Sequence, residues 1–315
     1  MTVIAIEEHY WDRELAETYS GVEGTRPGKM MDRLFAFDGE RIEDMDRAGI
    51  DISVLSHGAP GAQKLSGEDA LPLTMRVNDK LMEAVGRSGG RFAGLAALPM
   101  GRPEEAAAEL ERCVAMGMKG AMLFPSAQGA FLDDPRFLPV FERAEALDVP
   151  LYIHPALPHP KVTEAYFQDY MADYPMIARP AWGYTVETGT VAIRMVLSGL
   201  FDRHPGLKII LGHLGESIPF QMWRIDSALA RAGQKPIRFR EVFNRNFWVT
   251  TSGFFSTPAL RCALDELGPD RVMFSVDWPF VSDSKPAVDW LRDALLEEDL
   301  RRRIFGETAR ALLRL

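Results

Sequence analysis

Residues 3–9 read VIAIEEH, four apolar side chains followed by two carboxylates and an imidazole. So short an unbroken apolar run is the pattern of a strand buried on both faces, as in a parallel sheet. Working outward, comparable runs rich in Val, Ile, Leu and Phe recur at 52–57, 92–98, 121–124, 151–154, 208–213, 247–251 and 272–277. That makes about eight, the number that closes a (β/α)8 TIM barrel.

Amphipathic stretches fall between the runs, at 40–48, 70–85, 103–116, 186–200, 218–230, 286–295 and 299–313. Pro103 followed by Glu104 and Glu105 makes a good helix start. Asp134–Pro135 and Thr257–Pro258 each read as a capping side chain before a proline at the first helical position. Two connections exceed what a turn requires, 10–38 after the first strand and 155–185 after the fifth. The second holds five prolines and the aromatics Tyr166, Phe167, Tyr170, Tyr174 and Trp182. Long ordered connections serve as lids and pocket walls, or as contacts between subunits. With no repeat, low-complexity tract or linker, residues 1–315 read as a single barrel domain.

Of the 315 residues, 47% are hydrophobic and 26% charged, which excludes a disordered chain. The balance of 36 basic and 45 acidic residues gives a net charge of −9, unfavourable for nucleic-acid binding. An anionic small molecule is still admissible, because local fields decide that. The two cysteines, Cys113 and Cys262, lie in helix-like segments outside any CxxC pair, which suits a reducing, cytoplasmic setting. The N-terminus carries no basic region ahead of its apolar run and does not read as a signal peptide. No stretch is long and apolar enough to span a bilayer.

The six histidines are placed unevenly: His9, His57, His154 and His213 each end a predicted strand. Glu7 shares a strand face with His9, two residues on. Asp277 ends the eighth run, in FSVDWPF. Strand C-termini of a barrel open on one mouth, so Glu7, His9, His154, His213 and Asp277 converge there. Carboxylates and imidazoles gathered without compensating charge are costly, and a bound divalent cation resolves the conflict. The mixed oxygen and nitrogen donors suit Zn²⁺ or Mn²⁺.

Taken with IAIEEHYW, RIEDMDRAGIDISVLSHGAPG, PLYIHP, FDRHPGLKIILGHLGE, WRID, FSVDWPF and GETARALLRL, the chain resembles the amidohydrolase superfamily in its metal-dependent decarboxylase branch. That branch includes the γ-resorcylate, 5-carboxyvanillate and aminocarboxymuconate-semialdehyde decarboxylases. The resemblance implies that Glu7, His9, His154 and Asp277 hold one divalent metal ion per subunit. It implies a catalytic role for His213, with Glu216 beside it. Arg224 of WRID resembles an arginine that supports the site or faces the substrate, with a helix-surface ion pair as the other reading, and Phe280 of DWPF resembles a pocket aromatic. The fourth strand lacks the lysine that bridges two metals in binuclear relatives, which implies a mononuclear site. A homodimer or homotetramer is the family's expectation.

The implied reaction is non-oxidative loss of CO₂ from a hydroxylated aromatic, or related unsaturated, carboxylic acid. Asp277 is the candidate acid, protonating the carbon that loses CO₂. The alternative on the same residues is a metal-dependent hydrolase of a lactone, amide or C–C bond, with Asp277 as base. His57 stands where the family has an apolar residue; it either touches substrate or hydrogen-bonds the Gly58–Ala59 loop. Arg26 and Arg33 are candidates for a substrate carboxylate, with solvated loop charge the expected role. His159 lies in the proline-rich loop, His204 in the RHPG turn reads as structural, and both cysteines read as helix packing.

Overall fold

The computed structural model describes residues 1–231, 237–294 and 297–315. Eight parallel strands form the barrel wall: β1 (Ile4–Tyr10), β2 (Ile52–His57), β3 (Phe92–Gly94), β4 (Ala121–Leu123), β5 (Leu151–Ile153), β6 (Ile209–Leu211), β7 (Phe247–Thr250) and β8 (Val272–Met273). Register runs Ile4↔Ile52 and Ser53↔Phe92 on one side, and Ala121↔Leu151, Leu151↔Ile209, Ile209↔Phe247 and Val249↔Val272 on the other. The bridge Ala96↔Ala121 joins the two sets. The ring closes where Asp277 N donates to Glu7 O at 3.1 Å and His9 N to Trp278 O at 2.7 Å.

One helix follows each strand on the outside: α1 (Glu40–Ala48), α2 (Ala70–Arg87), α3 (Pro103–Ala115), α4 (Leu138–Ala146), α5 (Gly183–Leu197), α6 (Ile218–Leu229), α7 (Thr257–Leu267) and α8 (Lys285–Asp293). Alternate strand residues sort into two cores. Ile4, Ile6, Val54, Met122, Tyr152, Ile210 and Met273 fill the lumen. Ala5, Leu55, Leu123, Leu151, Ile209 and Val249 face the helices. Residues buried on both faces explain why the runs show no polar alternation. The lumen is plugged at the strand N-termini by Ala309, Leu312 and Leu313 of the last helix, Thr308–Leu313.

Several boundaries differ from the sequence pattern for visible reasons. The 186–200 helix starts at Gly183 and ends at Leu197, because Gly199 turns left-handed at φ +73°. The 299–313 helix is split by a wide turn at Arg303–Glu307. There the Ile304 carbonyl is taken by Phe274 N, at 2.9 Å, just beyond β8. Asp134 caps as expected, accepting from Arg136 N at 3.0 Å. Thr257 does not cap; it is the first residue of α7, and its hydroxyl accepts from Trp290 Nε1 at 3.1 Å. Leu295, the expected end of the 286–295 helix, lies outside the described residues. Among the described residues no helix is long and apolar enough to cross a membrane.

Both long connections fold into short helical pieces, Arg13–Ala16, Gly21–Glu23 and Gly28–Phe35 in the first, Pro160–Tyr166 and two turns in the second. Both line a cavity of about 1160 Å³ at the strand C-termini, reached by Ser20, Glu23, Phe124, Ala156 and Arg179. Of the two roles open to the second connection, its aromatics suit a contact face better than a pocket wall. Phe167 is buried, but Tyr166, Tyr170, Tyr174 and Trp182 are each more than half exposed, pointing away from the cavity's lining.

Candidate metal centre

Glu7 and His9 end β1 on one face, His154 follows β5, and Asp277 follows β8. One donor atom from each lies within 4.8 Å of the others. Glu7 Oε1 is 3.1 Å from His154 Nε2 and 3.8 Å from His9 Nε2, and Asp277 Oδ1 is 3.3 Å from His9 Nε2. Glu7 Oε1, His9 Nε2 and Asp277 Oδ1 are buried without a hydrogen-bond partner. The His154 tautomer is set from behind: Nδ1 donates to Pro155 O at 2.7 Å, so the Nε2 lone pair faces the Glu7 oxygen. Lone pairs aimed at lone pairs in a dry site need a cation between them. Two carboxylates and two imidazoles fit a Zn²⁺ or Mn²⁺ ion. β4 contributes no ligand: Phe124, just past its end, lays an aromatic edge against His154 at 5.9 Å.

Each member is held by a second layer. Glu7 Oε2 accepts from the Tyr152 hydroxyl and from Thr250 Oγ1 at 3.4 Å. A Cβ at Gly212 would sit 2.7 Å from that oxygen, so only glycine fits beside it. Ser56 Oγ meets His9 Nδ1 at 3.2 Å. Asp277 is left-handed at φ +75°, a conformation costing on the order of 1 kcal/mol for a non-glycine residue. Buried Glu8 secures it: Oε1 accepts from Ser275 Oγ and Val276 N at 3.0 Å, and Oε2 from Trp278 N at 3.1 Å. Arg41 completes the clasp, donating to His9 O at 2.6 Å with its guanidinium 4.0 Å over the Trp278 ring. Sequence reading overlooked Glu8 and Arg41; a second carboxylate beside Glu7 in a buried run was the available signal.

His213 sits in a left-handed turn, 213–217, with Nδ1 at 2.8 Å from Glu216 Oε1 and Nε2 at 4.0 Å from Glu7 Oε1. Gly253 passes close by; a Cβ there would lie 3.2 Å from Asp277 Oδ2 and 3.7 Å from the His213 ring. His213 and Glu216 therefore adjoin the cluster without belonging to it. The electrostatics show how strongly the cluster seeks positive charge. Burial alone would raise Glu7, but His213, His154 and His9 hold its carboxyl well below the ordinary range. Burial would lower His9, yet Asp277 and Glu7 push it up to about 9. Glu216 and Glu7 likewise outweigh burial at His213 and raise it to about 10.

The substrate-side expectations divide. Phe280 lies beside the cluster, its ring 5.6 Å from that of His9. His57 is not a substrate contact: it is buried, Nδ1 donates to Gly58 O at 2.9 Å, and Nε2 accepts from Asp12 N at 2.9 Å. With both ring nitrogens committed to backbone, it pins the loops after β1 and β2, and burial keeps it neutral, down to about 4. Arg224 is exposed on α6, in a row with Phe220 and Trp223, and lines none of the cavity. Arg33 pairs with Glu40 and donates to Ser282 O at 3.2 Å, its side chain only 12% exposed, so it ties the first connection to the segment after β8. Arg26 departs from the expected solvated role: it is half-buried, 4.9 Å over the Trp11 ring and 6.0 Å from that of Phe280. His159 lines the cavity, its Nδ1 accepting from Lys161 N, whereas His204 pairs with Glu145 away from it.

The amidohydrolase family model matches residues 4–315. The chain is 38% identical to a γ-resorcylate decarboxylase of Rhodococcus jostii, over 99% of this chain and 98% of that one. It is similar to the crystal structure of a dihydroxybenzoic acid decarboxylase from Polaromonas sp. with bound manganese and the inhibitor 2-nitroresorcinol. The TM-score is 0.89 and the identity 36%, over 100% of this chain and 97% of the other. It is also similar to 5-carboxyvanillate decarboxylase from Sphingomonas paucimobilis, with TM-score 0.91 and 36% identity over 100% and 99% of the two chains.

Proposed function

Because this chain belongs to the amidohydrolase family, we propose on that premise that it is a metal-dependent, non-oxidative decarboxylase of a hydroxylated aromatic carboxylic acid. The observation that carries the reading is the set of four donor atoms within 4.8 Å, three of them buried and unpartnered, at the mouth of a barrel. The full-length likeness to carboxy-lyases favours decarboxylation over the hydrolase chemistry the same residues could support. A cation held by Glu7, His9, His154 and Asp277 supplies Lewis acidity that anchors the acid and neutralises its charge. We favour Mn²⁺, with Zn²⁺ the other candidate, since a similar structure contains manganese.

Asp277 carries out the proton transfer. As the free acid it gives its proton to the ring carbon bearing the carboxylate. The carbon–carbon bond then breaks, its electron pair restores aromaticity, and CO₂ leaves. His213, held by Glu216, stands at the edge of the cluster to orient the acid and return a proton to Asp277 from the cavity. The side chain of Asp277 is 16% exposed, which leaves it open to that exchange. Phe280 offers a flat apolar face to the ring. No redox cofactor enters the balance.

We also propose a homodimer or homotetramer, supported by Phe220 and Trp223, 79% and 71% exposed on α6. The free thiols support a cytoplasmic location. The expected partner is a small carboxylate, with no nucleic acid and no membrane. The test is CO₂ release from ortho-hydroxybenzoates by the Mn²⁺-loaded protein. Stoichiometric CO₂ and phenol are expected; ring opening of lactones without CO₂ release would contradict the assignment.

A further inference from the structure

Tyr152 lies on β5 two residues before His154, with its side chain in the barrel lumen. His154 gives a donor atom to the metal cluster; Tyr152 gives none, yet its hydroxyl donates to Glu7 Oε2. Thr250, the last residue of β7, stands beside the pair, and Glu7, Tyr152 and Thr250 are all fully buried.

The two oxygens of Glu7 are thereby set to different tasks. Oε1 faces His154, His9 and His213 with no hydrogen-bond partner. Oε2 is taken up by the Tyr152 hydroxyl, with Thr250 Oγ1 at 3.4 Å. Gly212 backs onto this contact: a Cβ there would lie 2.7 Å from Oε2 and 3.3 Å from Tyr152 Oη.

The direction of the bonds follows from what each atom can do. A carboxylate oxygen only accepts, so Tyr152 Oη donates to it. With its one hydrogen spent, Oη accepts from Thr250 Oγ1, 2.9 Å away. For the threonine hydrogen this oxygen is a better placed acceptor than Glu7 Oε2 at 3.4 Å. Thr250 Oγ1 in turn accepts from Ser252 N at 3.4 Å. The chain runs one way, from a backbone amide through two hydroxyls to the carboxylate, and each bond polarises the next. A buried carboxylate oxygen without donors is costly, and a side chain released to turn no longer presents Oε1 in one place.

We propose that Tyr152 is a positioning residue for the metal ion: with Thr250 acting through it, it holds Glu7 by Oε2 and so keeps Oε1 aimed at the cation. This rests on the reading of Glu7, His9, His154 and Asp277 as a metal centre, but it is measured in ion binding, apart from turnover.

The test is calorimetric titration of the chelator-stripped protein with Mn²⁺, alongside the melting temperature of each stripped variant. Tyr152→Phe removes the hydroxyl and keeps the ring, and should weaken binding about ten- to a hundredfold. Thr250→Val should weaken it less, and Thr250→Ser, which keeps the hydroxyl, should bind as the wild type does. Because Thr250 acts through Tyr152, the double variant should bind no more weakly than Tyr152→Phe alone. A Tyr152→Phe protein with a lowered melting temperature but unchanged Mn²⁺ affinity would show that the hydroxyl only packs the lumen, and overturns the proposal. Losses that add in the double variant overturn the part given to Thr250. Where Tyr152→Phe fails to fold, Thr250→Val is compared with Thr250→Ser, and equal affinities overturn the proposal. Weakened Mn²⁺ binding in Tyr152→Phe, with no CO₂ from any ortho-hydroxybenzoate even in the wild type, leaves the positioning role standing and overturns the decarboxylase reading.

Discussion

Asp277 and His57 are both strand-end residues of the kind that build barrel sites, and the difference between them is what their polar atoms face. Asp277 Oδ1 faces His9 with no hydrogen-bond partner, whereas both His57 nitrogens are used by backbone. Asp277→Asn should keep the fold and lower kcat on the order of a thousandfold, the range for loss of a positioned acid. A rate near that of the wild type would remove Asp277 from the chemistry. His57→Leu should strand Asp12 N and Gly58 O and cost about 1–3 kcal/mol in a urea titration. Because His57 reaches no substrate directly, KM is expected to hold; a rise in KM with unchanged stability would restore the substrate contact. His57 also has a definite pH signature. Its folded value of about 4 lies below the ordinary value, so the unfolded chain takes up the proton first. Its contribution to stability is complete above about pH 6.5 and is lost as pH falls toward 4. A resonance assigned to His57 that titrates near 6.5 in the folded protein would contradict this. Glu7, His9, His154 and Asp277 were legible from sequence because each ends an apolar run, and a strand end has only one place to go in a barrel. Glu8 was not, since its neighbour already explained the acidic pair. Arg26 was not, since nothing local shows that a loop arginine folds inward onto Trp11.

At the scale of elements, the seam between β1 and β8 bears most directly on the site. These strands close the ring through backbone bonds on either side of Asp277, and the Glu8 carboxylate spans the same residues with three further bonds. Glu8→Gln keeps the size but turns a donor toward amides that need an acceptor. We expect a lowered melting temperature together with a fall in kcat larger than the change in KM, because Asp277 loses its fixed conformation. Equal loss in thermal stability and none in kcat would mean that Glu8 only closes the barrel. The strand positions were readable because both faces are buried, which leaves an apolar signature in each run. The splitting of the last helix was not, because its cause is a bond donated to Ile304 O by Phe274 N, thirty positions away in sequence. The outward rings of the 155–185 connection were not readable for a related reason: composition shows that a loop is aromatic but not which way its rings face.

For the whole molecule, the cluster ties together the first strand, the fifth and the last, so a bound ion links the beginning of the chain to its end. Loading should therefore raise stability by mass action, by about 2.7 kcal/mol at a hundredfold excess over Kd. A melting temperature indifferent to the metal would place the ion elsewhere. The central claim is that these four side chains hold one cation that the loss of CO₂ requires. Its most direct test is to strip the protein with a chelator and titrate Mn²⁺ back while following CO₂ from an ortho-hydroxybenzoate. The account predicts no release from the stripped protein and recovery that saturates at one ion per chain; full release without metal would contradict it.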